Sequence, residues 1–384
     1  MTKSLPDTTE LEMFRDNVRR YVKEQIAPRH EDWEQGGIIP RDVWRELGEA
    51  GLLAVDIPES HGGAGADVAF SMVIHEEMAR AGCFALACEM VVHSDIVAHY
   101  LLNWGTEEQR RQYLPRLVSG ECIGAIAMTE PGAGSDLQSI RASARRDGEA
   151  WVINGSKTFI TNGQNADLVI TAVRTDPAAS GSRGTSLFLV DGDAPGFTRG
   201  RNLDKIGQHA ADTSELFYED VRVGPGALLG TLNQGFAILM TELPRERLAL
   251  AVTAVAHAQG ALDLTLEYVQ QRNAFGQPLA RFQNTRFSVA EMATEITVHR
   301  YFIEACLAKL RDKKLDTTTA SMAKLSCTEL QCRVADGCLQ LFGGYGYMRE
   351  YPISRFFVDA RVQRIYGGAS EIMKEIIGRE LCGR

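Results

Sequence analysis

Two short stretches carry side chains whose types and spacing suit ligand chemistry. AMTEPGAGSD (127–136) is a polar, glycine-bearing turn directly after an apolar run. Pro131 fixes one backbone angle, while Gly132 and Gly134 reach conformations barred to other residues. Backbone N–H groups and the hydroxyls of Thr129 and Ser135 can converge there on a phosphate or a carbonyl-rich ring; an ordinary tight turn has the same composition. KTFITNG (157–163) sets the ring of Phe159 two residues from the hydroxyl of Thr161. Side chains alternate along a strand, so these two share a face. An aromatic beside a hydroxyl donor suits a flat heteroaromatic ligand, and equally a half-buried strand pair.

Other motifs fail on inspection. HEEMA (75–79) begins like a zinc-protease helix, but Ala79 stands where the second His must be, and no metal site is expected. His93 and His99, six apart, do not align on a helix. Gly132 and Gly134 open a dinucleotide fingerprint that Leu137 breaks, and a strand-like run follows instead of a helix. There is neither a phosphate-binding G-x-x-x-x-G-K-[ST] loop nor a G-x-S-x-G nucleophile elbow.

The elements around these stretches change texture twice. Residues 1–121 read as helical: Leu11, Phe14, Val18, Val22 and Ile26 recur at helical spacing, and Pro28 is expected to end that segment. RDVWRELGEAGLL and VAFSMVIHEEMARAG repeat the pattern and run into Gly. From 122 to 231 the period shifts toward two, with CIGAIAMT, SIRASARR, AWVINGSKTFI, DLVITAVRT, TSLFLVDG and TSELFYEDVRV as strands. Asp147-Gly148 and Asn154-Gly155 are expected hairpin turns. The helical period returns over 232–384, most clearly at 285–311, where Met292, Ile296, Ile303, Cys306 and Leu310 trace one face. His299 lies on that stripe and reads as a hydrogen-bonded core or interface histidine. The pattern is an α+β chain: an N-terminal helical domain, a middle antiparallel β-domain and a C-terminal helical domain.

Length and composition bound the rest. The chain has 384 residues, which suits two or three domains, and 45% hydrophobic with 24% charged residues excludes disorder for most of it. A net charge of −9 with no long basic run excludes a nucleic-acid binder. No uninterrupted apolar run approaches the roughly 18 residues of a membrane span. The eight cysteines are scattered without a C-x-x-C pair, so buried free thiols in a reducing compartment are expected. MTKSLPDTTELEMFRDNV has no hydrophobic signal core and is acidic early, which points to a cytoplasmic protein, or to the mitochondrial matrix if a leader has been removed.

TEPGAGSD, KTFITNG, QQRNAFGQPLARFQ, QLFGGYGYMREYPISRFFVDARVQRIYGG and EIMKEIIGREL occur in that order and span nearly the whole chain. Together they resemble the acyl-CoA dehydrogenase family of flavoproteins. The resemblance implies FAD, an acyl-CoA substrate from fatty-acid or related metabolism, an electron-transferring flavoprotein as electron acceptor, and a homotetramer built as a dimer of dimers. It also implies that the C-terminal domain is a four-helix bundle. By position, Ile126, Ala127, Met128, Thr129, Gly134 and Ser135 line the flavin, with Ser135 also reaching the CoA portion. Phe159, Ile160 and Thr161 pack on the isoalloxazine, Thr161 near N5; many members carry Trp where Phe159 stands. Arg272, Phe275, Phe282 and Gln283, with Gln340, Gly343 and Gly344, resemble the segments gripping the pyrophosphate and adenine half of an FAD held by a neighbouring subunit. Ala369, Ser370 and Glu371 follow as further cofactor contacts.

The reaction the resemblance implies removes a proton alpha to a thioester and a hydride from the beta carbon, so it needs a carboxylate. The commonest family pattern supplies it from a Tyr-Glu-Gly stretch. Here the sequence reads Tyr366-Gly367-Gly368, so that assignment fails. In the long-chain and isovaleryl-CoA branches the base precedes an Arg-Leu pair on a mid-chain helix, and Glu246-Arg247-Leu248 matches. Glu242, one turn earlier, competes; Pro244 is expected to start the helix and leave Glu242 outside it. A first-turn glutamate stabilised by the helix dipole is the alternative role for Glu246. Arg247 and Gly368 are then substrate contacts, and the Gly367 N–H donates to the thioester carbonyl. Glycine at 367 is also expected to open volume for long or branched acyl chains. The competing functions are an acyl-CoA oxidase or flavin monooxygenase on the same fold, and an acyl-CoA-binding scaffold without a base.

Overall fold

The structure, a computed structural model, describes residues 8–179 and 181–383. The first seven residues, which bear on the leader, lie outside them. Helices come first: α1 (Thr8–Tyr21), α2 (Ala27–Gly36), α3 (Arg41–Glu49), α4 (Val68–Arg80), α5 (Phe84–Met90), α6 (Ala98–Trp104) and α7 (Glu107–Val118). π-helical turns, Val22–Ile26 and Val91–Val97, join α1 to α2 and α5 to α6. Pro28 therefore does not end the first segment. It sits in the first turn of α2, where the N–H it lacks would have no partner. Val18, Val22 and Ile26 are buried, as their spacing predicts.

The chain then forms β1 (Gly124–Ala127), β2 (Ser143–Asp147), β3 (Ala150–Thr161), β4 (Leu168–Arg174), β5 (Thr185–Asp191), β6 (Phe197–Asn202), β7 (Thr213–Val223) and β8 (Leu228–Leu229). They make one sheet in the order β6-β7-β3-β2-β4-β5-β8, with β1 beside β4. The sheet is not wholly antiparallel: β1 and the end of β2 run parallel to β4. A parallel pair needs a long crossover, which the loop after β1 and the β2–β3 hairpin provide. Asp147-Gly148 turns that hairpin, with Asp147 paired to Ala150. Asn154-Gly155 does not turn; it is a bulge within β3. Gly155 has φ of +141°, and a Cβ there would lie 2.6 Å from Ala142 Cα, so the neighbouring strand demands glycine.

The last part holds α8 (Gly235–Gln271), the short β9 (Asn273–Ala274) and β10 (Gln277–Pro278), then α9 (Gln283–Arg311), α10 (Thr317–Phe342), α11 (Pro352–Ala360) and α12 (Ser370–Leu381). α8 packs on α4, α9, α10 and α11, so it ties the first helices to the last. Pro244 does not start it; the helix runs through, with both Glu242 and Glu246 inside. Proline removes one ladder bond there, and packing of the surrounding buried side chains holds the turn together. Phe84–Trp104 and Gly235–Gln271 are long and apolar enough to cross a membrane, but 89% and 83% of their most apolar windows are buried inside the fold. Six of the eight cysteines are buried free thiols; Cys332 is half-buried and Cys382 is exposed near the chain end. His299 is partly exposed on α9, its Nδ1 hydrogen-bonded to Glu295 O at 2.8 Å.

Candidate active site

The long helix α8 presents Glu242, Arg245 and Glu246 to the segment Val91–Trp104. Glu242 and Glu246 are one turn apart and share a face. Both are buried, yet they are held differently. Glu242 accepts from Trp104 Nε1 at 2.7 Å and from Asn103 Nδ2 at 3.0 and 3.1 Å, so both its oxygens are engaged. Among the described residues Glu246 accepts one hydrogen bond, from Tyr100 Oη at 2.8 Å to Oε1. Its Oε2 keeps free acceptor capacity.

Burial pushes the Glu246 carboxyl from 4.5 up to about 7; the Tyr100 hydrogen bond opposes the rise, and the Glu242 charge adds to it. Burial also pushes the Tyr100 phenol well above 10, so it stays a donor. Glu246 lies in mid-helix, so the helix-dipole role considered for it does not apply.

Arg245 faces the other way along the same segment. It pairs with Asp56 at 2.7 Å and Asp95 at 2.6 Å; Asp95 also meets His75 and Ser71, and Asp56 meets His99. Burial alone would raise both carboxyls, but Arg245 and the paired histidines hold them below the ordinary range. Ligand atoms of Asp56, Asp95 and His99 lie within 4.8 Å of one another, as a metal would need. The Arg245 guanidinium already serves there as the cation, and the cluster reads as a bolt between α8 and the first helices.

Arg247 is buried. Its Nη1 donates to Ser321 Oγ at 3.1 Å, and its Nε has no partner. The turn Gly367-Gly368 lies against it: a Cβ on Gly368 would be 3.8 Å from Arg247 Nη2. A Cβ on Gly367 would be 2.3 Å from Leu250 Cδ1, one turn beyond Glu246 on α8. Glycine at 367 thus opens no volume, because Leu250 fills the space a side chain would take. Lys324 Nζ donates to Gly368 O at 2.7 Å. Ser370 spends its hydroxyl on Glu329, at 2.9 Å. Ala369 caps α12, and Glu371 is exposed in its first turn.

A second group gathers where β1 leaves the sheet. Ile126 and Ala127 are buried on β1, Met128 and Thr129 are half-buried, and Gly134 and Ser135 are exposed. A buried ion pair, Lys157 with Glu130 at 2.8 Å, pins this loop to β3. Glu130 also accepts from the backbone of Arg141 and Ala142, and Thr158 N donates to Thr129 O. Directly after that anchor β3 bulges. Phe159 takes φ of +58° and is 67% exposed, Ile160 is buried and Thr161 is half-buried. The hydroxyls of Thr129, Ser135 and Thr161 make no hydrogen bond within the chain among the described residues. An exposed ring in a strained backbone beside free hydroxyls fits a planar heteroaromatic group such as a flavin.

A third group lies at the far end of α8. Arg272, Gln340, Gly343 and Gly344 line a groove of about 550 Å³ with Tyr345 and Met348. The Arg272 guanidinium stacks on the Tyr345 ring at 5.2 Å. Nearby, Phe275 and Phe282 meet edge to face, their centroids 6.2 Å apart; Phe275 is almost wholly exposed, and Gln283 begins α9. No hydrogen bond or ion pair joins this group to the second among the described residues.

Sequence reasoning missed Tyr100, Trp104, Lys157 and Lys324. A phenol or an indole inside an apolar helix was the available signal, since each needs a polar partner when buried.

Comparison with known proteins bears on the family and the fold. Family models described as the N-terminal, middle and C-terminal domains of acyl-CoA dehydrogenase match residues 8–121, 125–221 and 233–382. The mitochondrial long-chain specific acyl-CoA dehydrogenase of Sus scrofa is 49% identical, over 97% of this chain and 87% of its own. A crystal structure of acyl-CoA dehydrogenase from Geobacillus kaustophilus superposes with a TM-score of 0.95 at 46% identity, covering 99% of this chain and 100% of that one. A glutaryl-CoA dehydrogenase from Mycobacterium smegmatis, solved in complex with FADH2, gives a TM-score of 0.92 at 29% identity, covering 98% and 97%.

Proposed function

The chain belongs to the acyl-CoA dehydrogenase family, and from that premise we propose an FAD-dependent enzyme that converts a long-chain or branched acyl-CoA to its trans-2-enoyl-CoA with Glu246 as base. The observation that carries this reading is the contrast on α8: Glu246 is buried with one donor, while Glu242 is saturated by Trp104 and Asn103.

Glu246 takes the alpha proton on its free oxygen. A carboxyl lifted to about 7 by burial is half ionised near neutral pH and is a stronger base than an exposed carboxylate. Tyr100 orients it and steadies its charged form. The Gly367 N–H, with no acceptor inside the chain among the described residues, donates to the thioester carbonyl and stabilises the enolate-like charge. Arg247, buried without a carboxylate ion pair among the described residues, adds positive potential on the same side and contacts the substrate with Gly368. FAD, when bound, supplies the hydride acceptor. Thr129, Ser135, Phe159 and Thr161 would hold its ring, and Ser135 would also meet the CoA portion.

The groove at Arg272 would hold the pyrophosphate and adenine half of an FAD from a neighbouring subunit, within a homotetramer built as a dimer of dimers. An Arg fork suits a diphosphate, and the almost wholly exposed Phe275 beside this groove is available to a neighbouring subunit. Electrons would leave through an electron-transferring flavoprotein. Division at 121/122 and 231/232 belongs to the same reading. The long-chain preference rests on likeness to the long-chain relative, since Leu250 removes the volume argument. Anaerobic titration of the holoenzyme with straight and branched acyl-CoAs tests it: a long-chain or branched member should bleach the flavin, without peroxide formation in air. No bleaching by any member would refute it.

A further inference from the structure

Lys324 and Lys157 are the two lysines among the largest fully buried side chains. Lys157 is paid its desolvation by Glu130. Lys324 has no carboxylate partner among the described residues. Its one hydrogen bond runs to the carbonyl of Gly368, leaving two N–H groups unused in a dry site. Burying an ammonium on those terms is costly, and an apolar side chain would fill this position on α10 more cheaply.

The carbonyl it holds belongs to a turn that needs holding. Gly367 and Gly368 have φ of +63° and +103°. Two adjacent glycines have more backbone freedom than any other pair. Their N–H groups donate to nothing inside the chain among the described residues. Leu250 and Met373 close the sides where side chains would project. Lys324 supplies the directional contact.

This inference rests on the reading that the Gly367 N–H binds the thioester carbonyl. We propose that Lys324 is a positioning residue for that carbonyl, its ammonium fixing the Gly367-Gly368 turn so that the Gly367 N–H stays aimed beside the base on α8. Arg247 lies close enough to repel the Lys324 ammonium, while Glu329 and Glu371 act on it without forming an ion pair among the described residues. Arg247 on α8 has no ion-pair partner among the described residues, and Glu329, on Lys324's own helix, is engaged by Arg364 and Ser370. Cys332 on the same helix is pushed up by burial, and Glu371 lies in the first turn of α12. Burial and then Arg247 bring the Lys324 ammonium down to about 8, consistent with a cation that has lost water and gained no counter-ion.

The test uses the oxidised holoenzyme with trans-2-dodecenoyl-CoA, isotopically labelled at the thioester carbonyl, and reads the carbonyl stretch by infrared difference spectroscopy. Wild type should lower that frequency on binding. Lys324→Met should lose most of the lowering and reduce kcat at least about tenfold while KM changes less than about threefold, and Lys324→Arg should restore part of both. A wild-type shift in Lys324→Met would overturn the proposal and leave the Gly367 reading standing. Absence of a shift in wild type would overturn that reading and this proposal with it. If the Met variant fails to fold, Lys324→Gln, one atom shorter and uncharged, takes its place: a diminished shift supports the proposal and a full one refutes it.

Discussion

Tyr100 and Glu246 are joined by a 2.8 Å hydrogen bond across 146 residues of sequence, phenol to carboxylate, inside the fold. The bond ties the end of the first helical run to the middle of α8 and leaves one carboxylate oxygen open. The geometry gives the Glu246 carboxyl a fixed orientation and a raised proton affinity, as the proposed base needs, and each property can be tested separately.

Replacing Glu246 with Gln removes the base and keeps the shape, with the amide oxygen still able to accept from Tyr100. Turnover should fall by about 10²–10⁴-fold while FAD and acyl-CoA binding persist. Near-normal turnover would sink the assignment. The same variant tests the burial argument through stability. A carboxyl raised in the folded state from 4.5 to about 7 stabilises the fold fully below its unfolded value, and that contribution is lost as pH rises through about 7. Relative to wild type, Glu246→Gln should therefore gain stability between pH 4.5 and 8, on the order of 3 kcal/mol. Parallel stability curves for the two proteins across that range would refute the raised value.

Tyr100→Phe removes the donor that favours the ionised carboxylate. Glu246 should titrate still higher, so the acidic limb of the kcat/KM profile should move up by about one pH unit. Turnover lost at pH 7 should return at higher pH. A profile identical to wild type would show that the bond does not tune the base.

What the sequence revealed divides along the distance over which each feature acts. Phe159 and Thr161 could be proposed from one short strand motif and Glu246 from a run of three residues, although the bulge at Phe159 breaks the regular alternation expected there. Tyr100 and Trp104 were not, since their partners lie 146 and 138 residues away. Pro28 and Pro244 were misread for a related reason. A proline states a local preference, and the burial of Ile26 before one and of Glu242 and Glu246 around the other is decided by packing. Asn154-Gly155 has hairpin composition, yet the close approach of Ala142 is what demands its glycine. The volume attributed to Gly367 was lost for the same cause, because Leu250 comes from another helix.

Arg272→Ala should weaken FAD retention by at least about tenfold, since a charge-assisted hydrogen bond is worth roughly 1.5–3 kcal/mol. The side chain already stacks on Tyr345 at the rim of the groove, so it is held ready and costs little to order. The flavin-to-protein ratio after gel filtration reads the effect. An unchanged ratio would remove Arg272 from the pyrophosphate site and weaken the case for a shared cofactor.

Gly367→Ala tests whether the turn is limited by its backbone, by its neighbour, or by both. Alanine at φ of +63° costs about 1–2 kcal/mol from backbone sterics alone. Its Cβ would also lie 2.3 Å from Leu250 Cδ1, an overlap that adds roughly 1–3 kcal/mol of overpacking. Leu250→Ala removes the overlapping atom and creates a cavity of its own, so only a double-mutant cycle isolates the contact. Gly367→Ala should be about 1–3 kcal/mol less destabilising in the Leu250→Ala background than in wild type, with the backbone cost remaining. Unfolding midpoints of the four proteins at one protein concentration provide the cycle. Equal costs in both backgrounds would mean that Leu250 yields freely, and that a side chain at 367 was excluded by the turn and not by the helix carrying the base.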